Sequence, residues 1–121
     1  MGLFGSLFKP KRNPIHVDDK SFEREVLQSA LPVILDVWSA GCAPCKKLEE
    51  VMVALATDYD GRIKVCEMGS HMAPRAATKL RIAATPTVVY FKSGREVERV
   101  AGFRGSLYHR EAIMEVFGIE K

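Results

Sequence analysis

The sequence predicts an α/β domain built on a central mixed sheet, parallel in its first half and closed by an antiparallel C-terminal hairpin, with helices on both faces. Three observations carry that prediction. Apolar residues switch repeatedly between short unbroken runs and stretches with a helical period. The run Val33-Ile34-Leu35-Asp36-Val37-Trp38 is broken by a single polar residue, which fits a strand covered on both faces. Near the C-terminus, two strand-like segments are separated only by Ser93-Gly94, the spacing of a hairpin. A length of 121 residues is that of one domain, and 47% hydrophobic with 27% charged residues is ordinary globular composition. Disorder, a coiled coil and a collagen-like repeat are thereby excluded as the organising principle. No apolar run approaches the ~20 residues that span a bilayer, so an integral membrane protein is not expected.

Residues 1–13 read as a basic and apolar N-terminal tail ahead of a domain covering 14–121. Leu3, Phe4, Leu7 and Phe8 fit one face of a short helix, which Lys9-Pro10-Lys11-Arg12-Asn13-Pro14 then breaks. One reading makes this tail a frayed or self-packed terminus, the other a weak membrane or partner contact. Met1-Gly2 followed by Ser6 also fits the loose myristoylation pattern. Ile15-His16-Val17 is the first strand candidate. Asp18, Asp19 and Ser21 offer cap chemistry to a helix carrying Phe22, Val26 and Leu27 on one face. After the strand Val33–Trp38, residues Leu48, Val51, Met52, Leu55, Ala56 and Tyr59 keep a helical period, with Gly61 at the expected C-terminal cap. Ile63 to Met68 is the next strand, and Pro74 suits the first turn of a short helix with Ala77 and Leu80. Thr87–Phe91 and Arg95–Ala101 form the hairpin. Gly102 and Gly105 open a loop, and Ile113, Val116 and Phe117 mark a last helix ending near Gly118.

Charge and cysteine usage narrow the function. Lys and Arg number 18 against 15 Asp and Glu, and Lys9, Lys11 and Arg12 hold that excess in the tail. A nucleic-acid binder concentrates positive charge over a folded face, so no nucleic-acid partner is expected. Three cysteines, two of them in Cys42-Ala43-Pro44-Cys45, are not a secreted disulfide framework. The apolar stretch Leu3–Phe8 precedes the basic residues, the reverse of a signal peptide, and a reducing, cytoplasmic location is expected. There is no Gly-rich phosphate loop, and His16 and His109 have no nucleophile nearby in sequence; both are read as solvated or local hydrogen-bonding residues.

Cys42 and Cys45 sit between a buried strand and the start of the strongest helix. Unpaired N–H groups and the helix dipole stabilise an anion there, so a thiol at that position ionises more readily than a free one. The thiolate fraction governs attack on a disulfide. Cys42 is read as the exposed nucleophile and Cys45, one turn further in, as the buried resolving thiol. Pro44 restrains the loop and removes a donor that would lack a partner. Asp36 lies on the strand leading to Cys42. A buried carboxyl without a cationic partner keeps its proton more tightly, and Asp36 is placed to exchange that proton with Cys45.

Trp38-Ser39-Ala40-Gly41-Cys42-Ala43-Pro44-Cys45-Lys46, the upstream Asp36 and Ala84-Thr85-Pro86-Thr87 together resemble the thioredoxin family, across roughly residues 15–118. The resemblance implies a thioredoxin-like fold and thiol–disulfide exchange on disulfide-containing protein substrates. It implies a thioredoxin-reductase-like electron donor, no bound cofactor, no metal, and a monomer. It further implies a cis peptide at Thr85-Pro86 whose backbone pairs with an extended substrate segment. By the same carry-over Ala84, Thr85, Pro86, Ala101 and Gly102 line that groove and Trp38 packs beside the disulfide, with Gly41, Ala43 and Pro44 completing the surface. Several residues depart from the family pattern. Gly41 stands where a Trp is usual, Ala43 where Gly is common, Glu50 in place of a helix proline, and Glu67 in place of a Lys near the buried Asp. Without the proline the helix is expected to run straight. If Glu67 and Asp36 point the same way, they raise each other's proton affinity.

Two other readings compete. Cys42, Cys45, Cys66 and His71 contain the residue types of a structural zinc site, although Cys66 falls in an apolar strand. Gly69-Ser70-His71-Met72 matches the remnant of a cleaved purification tag. Together with Gly41, Glu50 and Glu67 it raises an engineered or redox-weak binding scaffold on the same fold. The reading adopted is a protein-disulfide reductase working through Cys42, Cys45 and Asp36.

Overall fold

The computed structural model describes residues 9–120. The readings made on Met1–Phe8, a helical face, a membrane contact and myristoylation, lie outside the described residues. In chain order the elements are β1 (Ile15–His16), α1 (Glu23–Leu27), β2 (Val33–Trp38), α2 (Ala43–Asp58), β3 (Lys64–Gly69), α3 (Pro74–Lys79), β4 (Thr87–Lys92), β5 (Arg95–Ala101) and α4 (Ser106–Phe117). The order matches the sequence expectation. No described helix is long and apolar enough to cross a membrane.

The strands form one five-stranded sheet in the order β1-β3-β2-β4-β5. β1 and β2 run parallel to β3, whereas β4 is antiparallel to both β2 and β5. β2 therefore sits at the centre, hydrogen-bonded on both edges. Its alternation sorts the core into two layers. Ile34 joins Val65, Val88 and Tyr90 beneath α2 and α4, which contribute Leu48, Met52, Leu55, Ile113 and Phe117. Val33, Leu35 and Val37 face the other way, with Cys66, Met68, Val89 and Phe91, and meet Phe22 and Val26 beside α1 and Ala76 of α3. Helices thus cover both faces of the sheet.

Helix boundaries show where local chemistry differs from the sequence expectation. α1 is a π-helical turn in which the Gln28 amide donates to the Glu23 carbonyl at 2.9 Å. Asp18 and Ser21 exchange hydrogen bonds at its entrance: Asp18 Oδ1 accepts from the Ser21 amide, and Ser21 Oγ accepts from the Asp18 amide. Asp19, read from the sequence as part of the same cap, serves another helix. Its carboxylate accepts from the Arg75 and Ala76 amides at 3.1 and 2.8 Å and so caps α3, whose own N-cap, Ala73, has no side-chain acceptor. α2 ends at Tyr59 rather than at Gly61, which takes φ +84° in the turn that follows. The β4–β5 turn places Ser93 and Gly94 both at positive φ, the backbone of a tight hairpin. A side chain at Gly94 would lie 2.5 Å from the Leu27 carbonyl oxygen, so glycine is required there twice over.

Residues 9–12 run back against the C-terminal end of α2. Lys9 Nζ donates to the Asp58 carbonyl, and the Arg12 backbone amide donates to Thr57 Oγ1 while its guanidinium pairs with Asp60. Cations are favourable at that end of a helix.

Because Asp19 holds two amides of a helix 56 residues away in sequence, Asp19→Ala is expected to destabilise the domain by about 1 kcal/mol, and Asp19→Asn by less. Urea unfolding of the three proteins measures this; equal midpoints for Asp19→Ala and the parent would contradict the assignment.

Candidate active site

β2 ends at Trp38, and a short loop turns the chain into α2. Gly41 makes that turn at φ +71°, a conformation that L side chains rarely adopt. This is a backbone reason for the missing aromatic residue. Cys42 is then the N-cap of α2, Ala43 and Pro44 fill its first positions, and the Cys45 amide donates to Cys42 Sγ at 3.3 Å. Cys42 and Cys45 are joined in a disulfide with Cα atoms 5.2 Å apart. Cys45 is buried against the core, whereas Cys42 is half-buried at the surface. α2 runs uninterrupted through Glu50, as expected for a helix without the proline.

A loop faces this helix end. The Thr85–Pro86 peptide bond is cis. Cys42 Sγ lies 3.6 Å from the Thr85 carbonyl oxygen, and the Ser39 and Thr85 hydroxyls hydrogen-bond at 2.5 Å. Thr87 Oγ1 donates to the Ala84 carbonyl, and the Gly102 amide donates to the Pro86 carbonyl, next to the Thr87–Ala101 register pair. The structure therefore gathers Cys42, Ala84, Thr85, Pro86, Ala101 and Gly102 around one surface. Ala84 and Ala101 are exposed there, while Pro86 is buried.

On the inner side of the disulfide a cavity of about 760 Å3 is lined by Cys42, Cys45, Trp38, Asp36, Glu49 and Glu67, among others. Asp36 is 3% exposed, and its Oδ1 has no hydrogen-bond partner among the described residues. Burial above all, then the charges of Glu67 and Glu49, pushes its carboxyl from the ordinary 3.8 up to about 7. Glu67 is the direct register partner of Asp36 on the neighbouring parallel strand, so both point to the same face. Its carboxylate is held from two sides: Trp38 Nε1 donates to Oε1 at 2.6 Å, and His16 Nδ1 lies 2.9 Å from Oε2.

The remaining cysteine and histidines occupy other positions. Cys66 alternates to the opposite face of β3, fully buried among Leu35, Met68 and Val89, where burial pushes its thiol up to about 12. His71 packs its ring edge-on against Trp38 at 5.4 Å. Among the described residues no group of three His, Cys, Asp or Glu side chains is arranged to hold a metal ion, so Cys42, Cys45, Cys66 and His71 do not form the zinc set that their types allow. Gly69-Ser70-His71-Met72 is built into the turn after β3. The Ser70 amide donates to the Trp38 carbonyl, and a side chain at Gly69 would press on His71 and Trp38 at 3.0 and 3.1 Å. His109 is not solvated: it is fully buried in α4, hydrogen-bonded through Nδ1 to the Tyr90 hydroxyl, and burial pushes it down to about 4.

Sequence reasoning missed Ser39, Glu49 and His16 as neighbours of the site. Glu49 was findable, since it lies four residues after Cys45 on the same helix face. His16 was not, because only the parallel register of β1 on β3 sets it opposite Glu67.

Comparison with known proteins adds an independent line. The thioredoxin family model matches residues 13–113. A chloroplastic M-type thioredoxin of Spinacia oleracea is 40% identical over 86 residues, 71% of this chain and 48% of that protein. A thioredoxin of Rickettsia bellii is 35% identical over 100 residues, covering 83% of this chain and 91% of the relative. Thioredoxin 1 of a Nostoc species is 37% identical over 86 residues, 71% and 80% of the two chains.

Asp36 leaves a thermodynamic signature. The folded protein keeps a proton that the unfolded chain has released, so the contribution of Asp36 to stability declines between about pH 4 and its folded value of about 7 and is flat above it. Asp36→Asn is expected to remove that decline and to be the more stable protein above neutrality, by on the order of a few kcal/mol. Urea unfolding of the oxidised proteins at about pH 5 and about pH 8 reads the difference; an unchanged pH slope would count against a proton held on Asp36.

Proposed function

The chain belongs to the thioredoxin family and is a thiol–disulfide oxidoreductase, and we propose that it reduces disulfides of protein substrates through Cys42 and Cys45, with Asp36 as the base of the second step. The observation that carries this reading is the position of Cys42 at the N-cap of α2, where its sulfur accepts the Cys45 amide. A negative charge on that sulfur is stabilised by the helix end before any substrate arrives.

The cycle starts from the dithiol. Cys42 thiolate attacks one sulfur of the substrate disulfide; the other sulfur leaves as a thiolate and takes a proton from solvent. Cys45 then gives its proton to the Asp36 carboxylate, across the cavity that both line. The Cys45 thiolate attacks Cys42 Sγ, forms the internal disulfide and expels the second substrate sulfur as a thiolate, which takes up a proton from Asp36, directly or through solvent, and so returns Asp36 to its carboxylate. Two electrons pass to the substrate, and a reductase of the thioredoxin-reductase type returns them. No step requires a bound cofactor or metal. The loop Ala84-Thr85-Pro86 and the strand end Ala101-Gly102 are read as the docking edge for an extended substrate segment, in the manner of an added strand. Trp38, Gly41, Ala43 and Pro44 form the surface around the sulfurs. Gly41 leaves that surface without an aromatic wall, so the backbone edge carries more of the recognition. A dithiol that is re-reduced after every cycle belongs in a compartment supplied with reductant, and we assign it to the cytoplasm, acting as a monomer.

Cys42→Ser is expected to abolish turnover, and Cys45→Ser to accumulate mixed disulfides visible on a non-reducing gel. Cys66→Ala is expected to leave turnover unchanged, since that thiol is buried on the far face of the sheet. Full activity in Cys42→Ser would sink the mechanism. A redox titration followed by Trp38 fluorescence separates the reductant from its rival. A midpoint near about −270 mV marks a general reductant, one toward about −120 mV an oxidant or isomerase, and a pair that does not cycle marks a scaffold.

A further inference from the structure

The departure at Glu67 is built into the site in a way that the reaction scheme above does not use. A buried carboxyl that must accept the Cys45 proton is best served by a neighbouring cation, which favours its ionised form. Asp36 has the reverse: its neighbour across the β2–β3 ladder is a carboxylate on the same face. That carboxylate is not free to turn away. Trp38 Nε1 holds one oxygen at 2.6 Å and His16 Nδ1 the other at 2.9 Å. The Glu67 side chain is 26% exposed and His16 is 48% exposed, so the three groups run from the buried carboxyl outward to solvent. The other ionisable groups facing them are Glu49 and Lys46 from α2 and Asp18 beside His16; β4 presents only Thr87 and Val88 opposite this end of β2.

We propose that Glu67, pinned between Trp38 and His16, is a positioning residue for the resolving step: its carboxylate, held on the same face as Asp36, sets how readily Asp36 is free to take the Cys45 proton. This inference rests on Asp36 being the base for Cys45. A carboxylate fixed beside Asp36 opposes its ionisation, and the hydrogen bonds with Trp38 and His16 keep that carboxylate in place. The resolving step is therefore expected to gain its rate at a higher pH than it would without the Glu67 carboxylate. The elevated proton affinity of Asp36, to which Glu67 contributes after burial, agrees with this arrangement.

The test is the pH profile of resolution in single turnover. Reduced protein, in a Cys66→Ala background, is mixed with dithiobis(nitrobenzoate). The first chromophoric thiol reports attack by Cys42 and the second reports resolution by Cys45; the second is absent in Cys45→Ser. Glu67→Gln, which still offers an oxygen to Trp38, is expected to shift the midpoint of the second phase down by about one pH unit. Glu67→Lys shifts it further down. Unshifted Trp38 emission in the oxidised Glu67→Gln protein verifies that the site is intact. If the two Glu67 variants leave the midpoint where it is in the parent, or shift it upward, the proposal is overturned. Asp36→Asn separates the two failures. If it keeps the parent profile, Asp36 is not the base and the underlying reading falls; if it loses the profile while the Glu67 variants keep it, only the role of Glu67 falls.

Discussion

The structure depends on one constraint, the burial of a carboxyl at the centre of a strand that is otherwise sealed by hydrocarbon. β2 is hydrogen-bonded to β3 on one edge and β4 on the other, and Val33, Leu35 and Val37 are packed on one face while Ile34 is packed on the other. Such a strand has no freedom to slide or tilt. Asp36 is therefore carried into the interior by its neighbours and not by any partner of its own, and its cost is borne by the apolar contacts around it. The same rigidity fixes where β2 ends, and with it the turn at Gly41 and the first turn of α2. Leu48 and Met52 lock α2 onto the sheet one and two turns beyond the cysteines. The Asp36 carboxyl and the sulfurs are thus held at a set separation by the core.

The departures from the family pattern act on this frame at different depths. Glu50 is an exposed position in the middle of α2, and its effect is confined to letting the helix run unbroken. Gly41 acts on the turn: its left-handed backbone delivers Cys42 to the helix N-cap, and the surface beside the disulfide loses a side chain as a consequence. Glu67 acts on the chemistry, because it shares a face with Asp36 and is tied to the only tryptophan. The turn 69–72 supports that tie, since Gly69 admits the close approach of His71 to Trp38. A segment that looks foreign in the sequence is sterically fitted to the aromatic residue whose indole holds Glu67.

What the sequence made legible was whatever depends on spacing along one element. The six-residue run around Asp36 revealed a doubly covered strand, and the period from Leu48 to Tyr59 revealed the helix that carries the site. What stayed hidden depends on register between elements. Asp19 looks like a cap for the helix that follows it, because nothing in the chain announces that α3 lacks one of its own. His109 carries a titratable ring yet is sealed beside Tyr90, a fate set by the packing of α4 on the sheet. Cys66 and Glu67 are adjacent in sequence and face opposite sides of the sheet. Alternation predicts that they part company, but only the pairing of Asp36 with Glu67 says which of them faces the site.

The three thiols show how far placement outweighs residue type. Cys66 is packed within an apolar layer, and desolvation above all raises its proton affinity, so that it behaves as a small apolar filler. Cys42 has the opposite setting: an amide donor aimed at the sulfur, the positive end of a 16-residue helix behind it, and access to the surface. Cys45 lies between these extremes, buried like Cys66 yet on the helix like Cys42, and it lines the same cavity as Asp36. The far end of the same helix completes the asymmetry. Lys9 and Arg12 are gathered around Asp58, Thr57 and Asp60, where the helix presents its negative end. The segment ahead of β1 and the sulfur at Cys42 thus lie at opposite poles of one element.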